Sequence, residues 1–421
     1  MRYAKYKPTG IAWLPEVPEG WEMVRNKTFL TITDEKVGER KDEFTLLSLT
    51  KQGVIVRDLT EMKGKFPKDF DTYLVVRPDN LVFCLFDVDE TPRTVGLVRN
   101  VGMLTGAYTN FKVDNDLVLP EFACYYYLHV DDAKKLRPYY TGLRKVVKTN
   151  TFLQLRFPCP PLSEQQSIVA YLDEKCGKVD RLVTAKEKEA ALLKELKQSM
   201  IAEAVTRGVR PKRRLVPSGI PWLPEVPEGW KLVRNKTFLK LTDEKVGSRK
   251  NAFTLLSLTK QGVIVRDLTE MKGKFPKDFD TYLVVRPNNL VFCLFDVDET
   301  PRTVGLVKNV GMLTGAYTNF EVDQSVVLPE FAYYYYLHVD NAKKLRPYYT
   351  GLRKVVKTNT FMQLRMPVPS LAEQREIVAH IEARAAKIDA AVAGLEREVA
   401  ALKEYKQRLI ADVVTGQRKV A

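Results

Sequence analysis

The chain has 421 residues, 45% of them hydrophobic, an ordinary globular composition with length for two to four domains. Its 67 Lys and Arg against 52 Asp and Glu leave +15 at neutral pH, which favours a polyanionic partner, nucleic acid or membrane surface, through attraction and counterion release. Five cysteines make no disulfide framework in so long a chain, MRYAKYKPTG lacks the apolar core of a signal peptide, and no run nears the ~18 apolar residues of a membrane span, so a cytoplasmic location is expected.

The first element met along the chain is half of a repeat. GIAWLPEVPEGW at 10–21 returns as GIPWLPEVPEGW at 219–230, and the offset of 209 holds without a gap to the end of the chain. Residues 44–78 recur unchanged at 253–287, and on to Arg156 the differences are mild, Lys112 to Glu321 being the only charge reversal. A period this long marks duplicated domains, not a solenoid. Within each copy FTLLSL, GVIVRDL, TYLVV, NLVFCLF and TVGLV read as short strands, β-branched and bounded by Gly, Pro, Asp and Asn. EFACYYYLHVDDAKKL follows as a helix with Phe122, Tyr126 and positions 129/130 on one face, its tyrosines reading as core. Strands followed by a helix, without regular alternation, predict an α+β fold and not a doubly wound one.

Pro158, Pro160 and Pro161 then stop the chain, and Ser163 with Glu164 is expected to cap a helix over about 163–206, which would span ~65 Å. The copies diverge here, keeping pattern and losing identity. Ile388, Val392, Leu395, Val399, Leu402, Leu409 and Val413 form a heptad stripe broken at Lys406. Val179, Val183, Ala190, Leu193, Met200 and Ala204 match it, broken at Lys186 and Lys197. A stripe that long needs a partner, and the other copy supplies one. Between the copies TRGVRPKRRLVPSG (206–219) reads as a solvated connector or as a basic arm for DNA.

The opening GI-x-WLPEVPEGW, the junctions PCPPLSEQ and PVPSLAEQ before each long helix, and YLVVRPDNLVF and GMLTGAYTNF within the globular part resemble the specificity subunits of type I restriction-modification systems. The resemblance covers nearly the whole chain, copy by copy. It implies two tandem α/β target-recognition domains (1–161 and 219–370), each followed by a conserved spacer helix (162–207 and 371–416), with a basic linker at 208–218. The helices would pack as an antiparallel coiled coil. It also implies a non-catalytic role. Each domain would read half of a bipartite site in double-stranded DNA, and the coiled coil would recruit two adenine-N6 methyltransferase subunits and, where the host has them, restriction subunits. S-adenosylmethionine, ATP and Mg²⁺ would belong to those partners, with no cofactor in this chain. Family members usually carry two different recognition domains, whereas these two are almost the same. Antiparallel helices would relate the copies by a pseudo-two-fold, so the target should be a gapped near-palindrome.

Base reading needs Arg, Lys, Asn or Gln on loops, and phosphate contacts need cations and hydroxyls. Three segments supply them: Lys51, Gln52 and Arg57; Lys63, Lys65 and Lys68; and Arg137, Tyr139, Tyr140, Arg144, Lys145 and Lys148 around Gly142. Their twins are Lys260, Gln261, Arg266, Lys272, Lys274, Lys277, Arg346, Tyr348, Tyr349, Arg353, Lys354 and Lys357. TGAYTN adds Asn110 and Asn319, as adenine readers or as turn residues. FDVDETPR gathers Asp87, Asp89 and Glu90, which read better as a strand-end loop, with Arg93 paired to an acid, than as a cation site. No (N/D)-P-P-(Y/F) tetrad, P-loop or CxxC occurs, so methyltransferase, motor and zinc-site readings lack their motifs. The rival readings are a stand-alone DNA-bridging protein with little sequence preference, and a nuclease or methyltransferase with a degenerate site.

Overall fold

The computed structural model describes residues 1–57, 69–266 and 279–420. In the first copy the strands are β1 (Tyr6–Ile11), β2 (Leu14–Pro18), β3 (Glu22–Arg25), β4 (Leu30–Thr33), β5 (Leu47–Thr50) and β6 (Gly53–Val56). They continue as β7 (Leu74–Val76), β8 (Leu81–Phe83), β9 (Val95–Leu97), β10 (Gly102–Leu104) and β11 (Thr109–Val113). Helices α1 (Pro120–Asp132) and α2 (Thr149–Gln154), strand β12 (Arg156–Cys159) and the long helix α3 (Leu162–Arg207) complete the copy. A four-stranded sheet in the order β4-β11-β8-β9 is accompanied by the pairs β1-β2, β3-β12, β5-β6 and β7-β10. Every pairing between these strands is antiparallel, which makes the fold α+β. The second copy repeats the elements at the same offset, with α4 (Pro329–Asn341), α5 (Thr358–Gln363) and α6 (Leu371–Val414).

The WLPEVPEGW motif builds core. Leu14, Val17 and Trp21 are buried, and Trp21 meets Phe122 of α1 edge-on at 6.3 Å. The tyrosine run is core as well: Tyr126 and Tyr127 are buried, and Tyr127 packs edge-on against Phe83 of β8 at 5.0 Å. Its hydroxyl donates to Asn26 Oδ1 at 2.5 Å, and Asn26 Nδ2 donates to the Phe152 carbonyl at 2.8 Å, so this buried Tyr–Asn pair is satisfied.

By compactness the chain divides into Met1–Glu187 with Arg397–Ala421, and Lys188–Glu396. In the first unit Leu409, Ile410, Val413 and Val414, from the end of α6, share a core with Trp21, Phe122, Phe157 and Leu172. Across the helices Asp180 accepts Lys406 at 2.7 Å, Glu187 accepts Lys403 at 2.7 Å, and Lys186 pairs with Glu398. In the second unit Met200, Ile201, Ala204 and Val205, from the end of α3, complete the core of Trp230, Phe331, Ile377 and Ile381. There Lys194 reaches Glu396 at 2.8 Å and Lys197 reaches Asp389 at 2.6 Å. Partner numbers fall on one helix as they rise on the other, so the packing in each unit is antiparallel. The three lysines that break the heptad stripe, Lys186, Lys197 and Lys406, are each paired with an acid of the facing helix. Their stems cover the seam while the ammonium groups reach its rim.

The junction motif has a structural reason. Gln165 is fully buried; it accepts the Leu119 N–H at 2.8 Å and donates to the carbonyls of Leu117 at 3.0 Å and Pro160 at 2.8 Å. Gln374 makes the same three bonds to Leu328, Val326 and Pro369. One side chain thereby fixes each long helix to the loop preceding α1 or α4.

Three expectations are corrected. Pro158 does not end the segment but lies in β12, opposite Met23 in a two-stranded ribbon whose free edge needs no N–H. Ser163 lies inside α3, so the cap position belongs to Pro161 and, in the second copy, to Ser370, whose Oγ accepts the Glu373 N–H at 3.3 Å. The segment after α3 is not a free solvated connector. Arg210 grips Glu376 at 2.7 and 2.9 Å, Arg213 pairs with Glu373, and Leu215–Ile220 is a strand within what reads as linker. Glu373 also accepts Trp230 Nε1 at 3.2 Å, whereas its twin Glu164 accepts the Tyr3 hydroxyl.

Candidate nucleic-acid interface

Two loops of each globular part form one charged platform. The loop after β8 brings Asp87, Asp89 and Glu90 against the segment 137–148. Asp89, its side chain 12% exposed, accepts Arg137 Nε at 2.9 Å and the Tyr140 hydroxyl at 3.2 Å, with Lys145 Nζ 3.6 Å away. Lys145 reaches Glu90 at 2.9 Å. The hydrogen bond from Arg137 holds the Asp89 carboxyl below the usual carboxylate range, and Glu90 raises Lys145 above the usual lysine value. Asp298, Arg346, Tyr349, Lys354 and Glu299 repeat the arrangement in the second copy. Beneath it Asp131, 3% exposed, accepts Arg93 at 3.3 Å, Lys134 at 3.0 Å and the Thr94 N–H at 3.0 Å. The acid paired with Arg93 thus comes from α1, not from its own loop. Asp132, which also takes Arg93 at 3.0 Å, is replaced by Asn341, whose oxygen takes Arg302 at 2.9 Å.

Arg144 is the most exposed of the cations paired on this platform. Its guanidinium lies over the Phe86 ring at 5.4 Å from the centroid, and Phe86 stacks on Tyr108 at 6.3 Å. Its side chain is 75% exposed and makes a long ion pair with Asp87 at 3.9 Å; in the second copy Arg353 donates to Asp296 at 3.4 Å. The hairpin β5–β6 lies nearby, carrying Lys51 and Gln52 exposed at its turn. It rests on β9 because Gly96 has no side chain: a Cβ there would come within 2.5 Å of Leu49 and 2.7 Å of Val54. In the second copy Arg302 donates to the Lys260 carbonyl at 3.4 Å, tying hairpin tip to platform.

A solved structure described as the structural basis of complex assembly and conformational transition of the type I R-M system superposes at a TM-score of 0.68, covering 94% of this chain and 98% of its own at 15% identity. The chain shares the fold of that structure. An HsdS subunit from Thermoanaerobacter tengcongensis (TM-score 0.46, 16% identity, 96% of this chain and 98% of that one) is also similar. So is a type I restriction-modification S subunit from M. genitalium (0.35, 12%, 93% and 96%). No protein-family profile matches the sequence, and no curated protein does.

On this fold the sequence-derived candidates separate by environment. Lys51, Lys148 and their twins Lys260 and Lys357 are exposed and pair with no acid among the described residues. Arg57 and Arg266 are half-buried where the hairpin ends. Arg137, Tyr140, Lys145 and their twins Arg346, Tyr349 and Lys354 hold the platform together; Arg144 and Arg353 project from it. Tyr139 packs on the core, and its twin Tyr348 meets Trp222 edge-on at 5.5 Å. Asn110 and Asn319 leave the candidate set: they are 2% and 1% exposed, and each donates at 2.6 Å to a threonine of the adjacent strand. Lys63, Lys65, Lys68, Lys272, Lys274 and Lys277 lie outside the described residues. Sequence reading missed the pairing of FDVDE with YYTGLRK; an acidic cluster recurring 48 residues before a basic one in both copies was the available signal. Among the described residues no helix is long and apolar enough to cross a membrane, and no group of three or more His, Cys, Asp or Glu is placed to hold a metal.

Proposed function

We propose that the chain is the non-catalytic DNA-specificity subunit of a type I restriction-modification complex, and that each globular part reads one half of a gapped, near-palindromic site. The observation that carries this is the unequal divergence of one duplication. Residues 133–152, which form the platform and its tip, are identical to 342–361, while the spacer helices have lost most of their identity. Helices that complement each other across a seam are free to co-vary. Surfaces that stay identical on two copies serve the same ligand twice. Each unit also holds the same parts, with the roles of α3 and α6 exchanged.

The coiled coil is the proposed docking surface for two adenine-N6 methyltransferase subunits, with restriction subunits joining where the host encodes them. It keeps exposed apolar groups that its own seam does not use: Leu182 and Tyr405 in the first unit, Leu192 and Leu196 in the second. S-adenosylmethionine, ATP and Mg²⁺ belong, in this reading, to those partners. The test is selection of random duplexes by the purified full chain, alone and with its methyltransferase subunit, followed by sequencing. Enrichment of a motif with inverted identical halves supports the reading. Binding without enrichment would identify a DNA-bridging protein instead, and methyl transfer by the chain alone would identify an enzyme.

A further inference from the structure

We propose that Leu143 and Leu352 are base-contacting residues, each packing against a thymine methyl group in the major groove of its half-site; this rests on the DNA-reading function above. Both side chains are 102% exposed, as open to water as in an extended peptide. Each sits at the tip of a turn that is anything but loose. Thr141 and Val146 exchange backbone hydrogen bonds at 3.0 and 3.1 Å, the Lys145 N–H donates to the Gly142 carbonyl at 3.1 Å, and the Asp87 N–H donates to the Arg144 carbonyl at 2.7 Å. The bend needs positive φ at Gly142 (73°) and Lys145 (43°), and the lysine side chain resists it. The second copy holds Leu352 identically, with the Asp296 N–H on the Arg353 carbonyl at 2.7 Å. Strain held by a surrounding network, around a residue that touches nothing in its own chain, is an arrangement for presenting that residue.

The surroundings say to what. Residues 134–148 carry six Lys or Arg and no Asp or Glu; Lys134, Arg137 and Lys145 are taken up by Asp131, Asp89 and Glu90, but Arg144 and Lys148 stay exposed beside the turn and give it a cationic tip that suits an anionic partner. Next to the leucine, Arg144 is braced on Phe86 and points away from the core. An anionic partner that also offers an apolar group to one protruding leucine is duplex DNA, whose major groove admits a two-stranded turn and displays the thymine C5-methyl among hydrogen-bonding edges. A lipid surface fits less well, since membrane insertion draws on several apolar side chains together, and this turn offers one.

The experiment uses the full chain and the duplex enriched in the selection above, with each thymine replaced in turn by uracil, which lacks only the methyl. Wild type should bind roughly four- to tenfold more weakly when one particular thymine of each half-site is replaced. The double variant Leu143→Ala, Leu352→Ala should bind the thymine duplex as weakly as wild type binds the uracil one, and should not distinguish the two. Its salt dependence and melting temperature should be those of wild type, because no charge and no intramolecular contact is lost. A half-site without thymine, or a double variant that still discriminates thymine from uracil, overturns the proposal while leaving sequence-specific reading intact. Loss of anionic-vesicle binding or of methyltransferase association in the variant, with methyl discrimination unchanged, overturns it in favour of another partner. Absence of any enriched sequence for wild type removes the DNA-reading function and this inference together.

Discussion

The joint between globular part and long helix depends on one side chain whose removal has a calculable cost. Gln165 is 0% exposed, and its side chain makes three hydrogen bonds to backbone groups of its own unit besides a longer one from Nε2 to Cys159 Sγ at 3.8 Å. In Gln165→Ala the Leu119 N–H and the carbonyls of Leu117 and Pro160 lose this partner. At about 1–3 kcal/mol for each buried group left unsatisfied, and allowing for partial relaxation or water entry, the expected destabilisation is about 3–5 kcal/mol. Gln165→Glu should be at least as harmful: a carboxylate can accept the Leu119 N–H but sets negative oxygen against two carbonyls. Gln165→Met, which keeps volume, should resemble alanine, because the loss lies in hydrogen bonding and not in packing. Urea unfolding of the full chain measures this, with Gln374→Ala as the matched change in the other unit. A loss under 1 kcal/mol, or a glutamate variant as stable as wild type, would refute the reasoning.

Other expectations follow from the same contacts. Reversing Lys406 to Asp should destabilise the first unit and the double exchange with Asp180→Lys should recover about 0.5–1 kcal/mol of it; a double-mutant cycle with no coupling would contradict the seam pairing. Truncation after Leu402 removes Leu409, Ile410, Val413 and Val414 from the first core, each worth roughly 1.5–3 kcal/mol, and should unfold that unit while Lys188–Glu396 keeps its proteolytic resistance. Burial pushes the His129 imidazole down to about 4 and lowers His338. Folded-state values below the ordinary 6.5 mean stability that is complete above that pH and lost as pH falls toward 4, because the unfolded chain takes up the protons first. Melting temperature should therefore fall between pH 7 and 4, and His129→Gln with His338→Gln should flatten the slope; an unchanged slope would assign the acid sensitivity elsewhere.

How far the sequence could be read depended on the range of the interaction. The runs TYLVV, NLVFCLF and TVGLV each contain a strand, because adjacent β-branched residues and flanking turn residues are local signals. The heptad stripe is likewise local, and it locates the seam of α3 and α6. What its three lysines pair with was not legible, since that requires the antiparallel register. The same limit hid Glu373, whose partner Arg213 is 160 residues distant, and made a docked segment read as linker. LVPSGI carries the Pro and Gly of a loop, yet pairs with 223–227 across an irregularity in register. Asn110 has the chemistry to read adenine but lies under its sheet, and burial is not written in residue type. Leu143 went unremarked for the opposite reason: an isolated leucine reads as core until its exposure is known.

The measurement that tests the central claim most directly is single-molecule methylome sequencing of the source cell with and without this gene. The account predicts that N6-methyladenine disappears from one gapped motif whose halves are inverted copies of each other, with one modified adenine on each strand. A lost motif with unlike halves would contradict identical reading by the two copies, and an unchanged methylome in a cell that expresses the methyltransferase partner would contradict the specificity function itself.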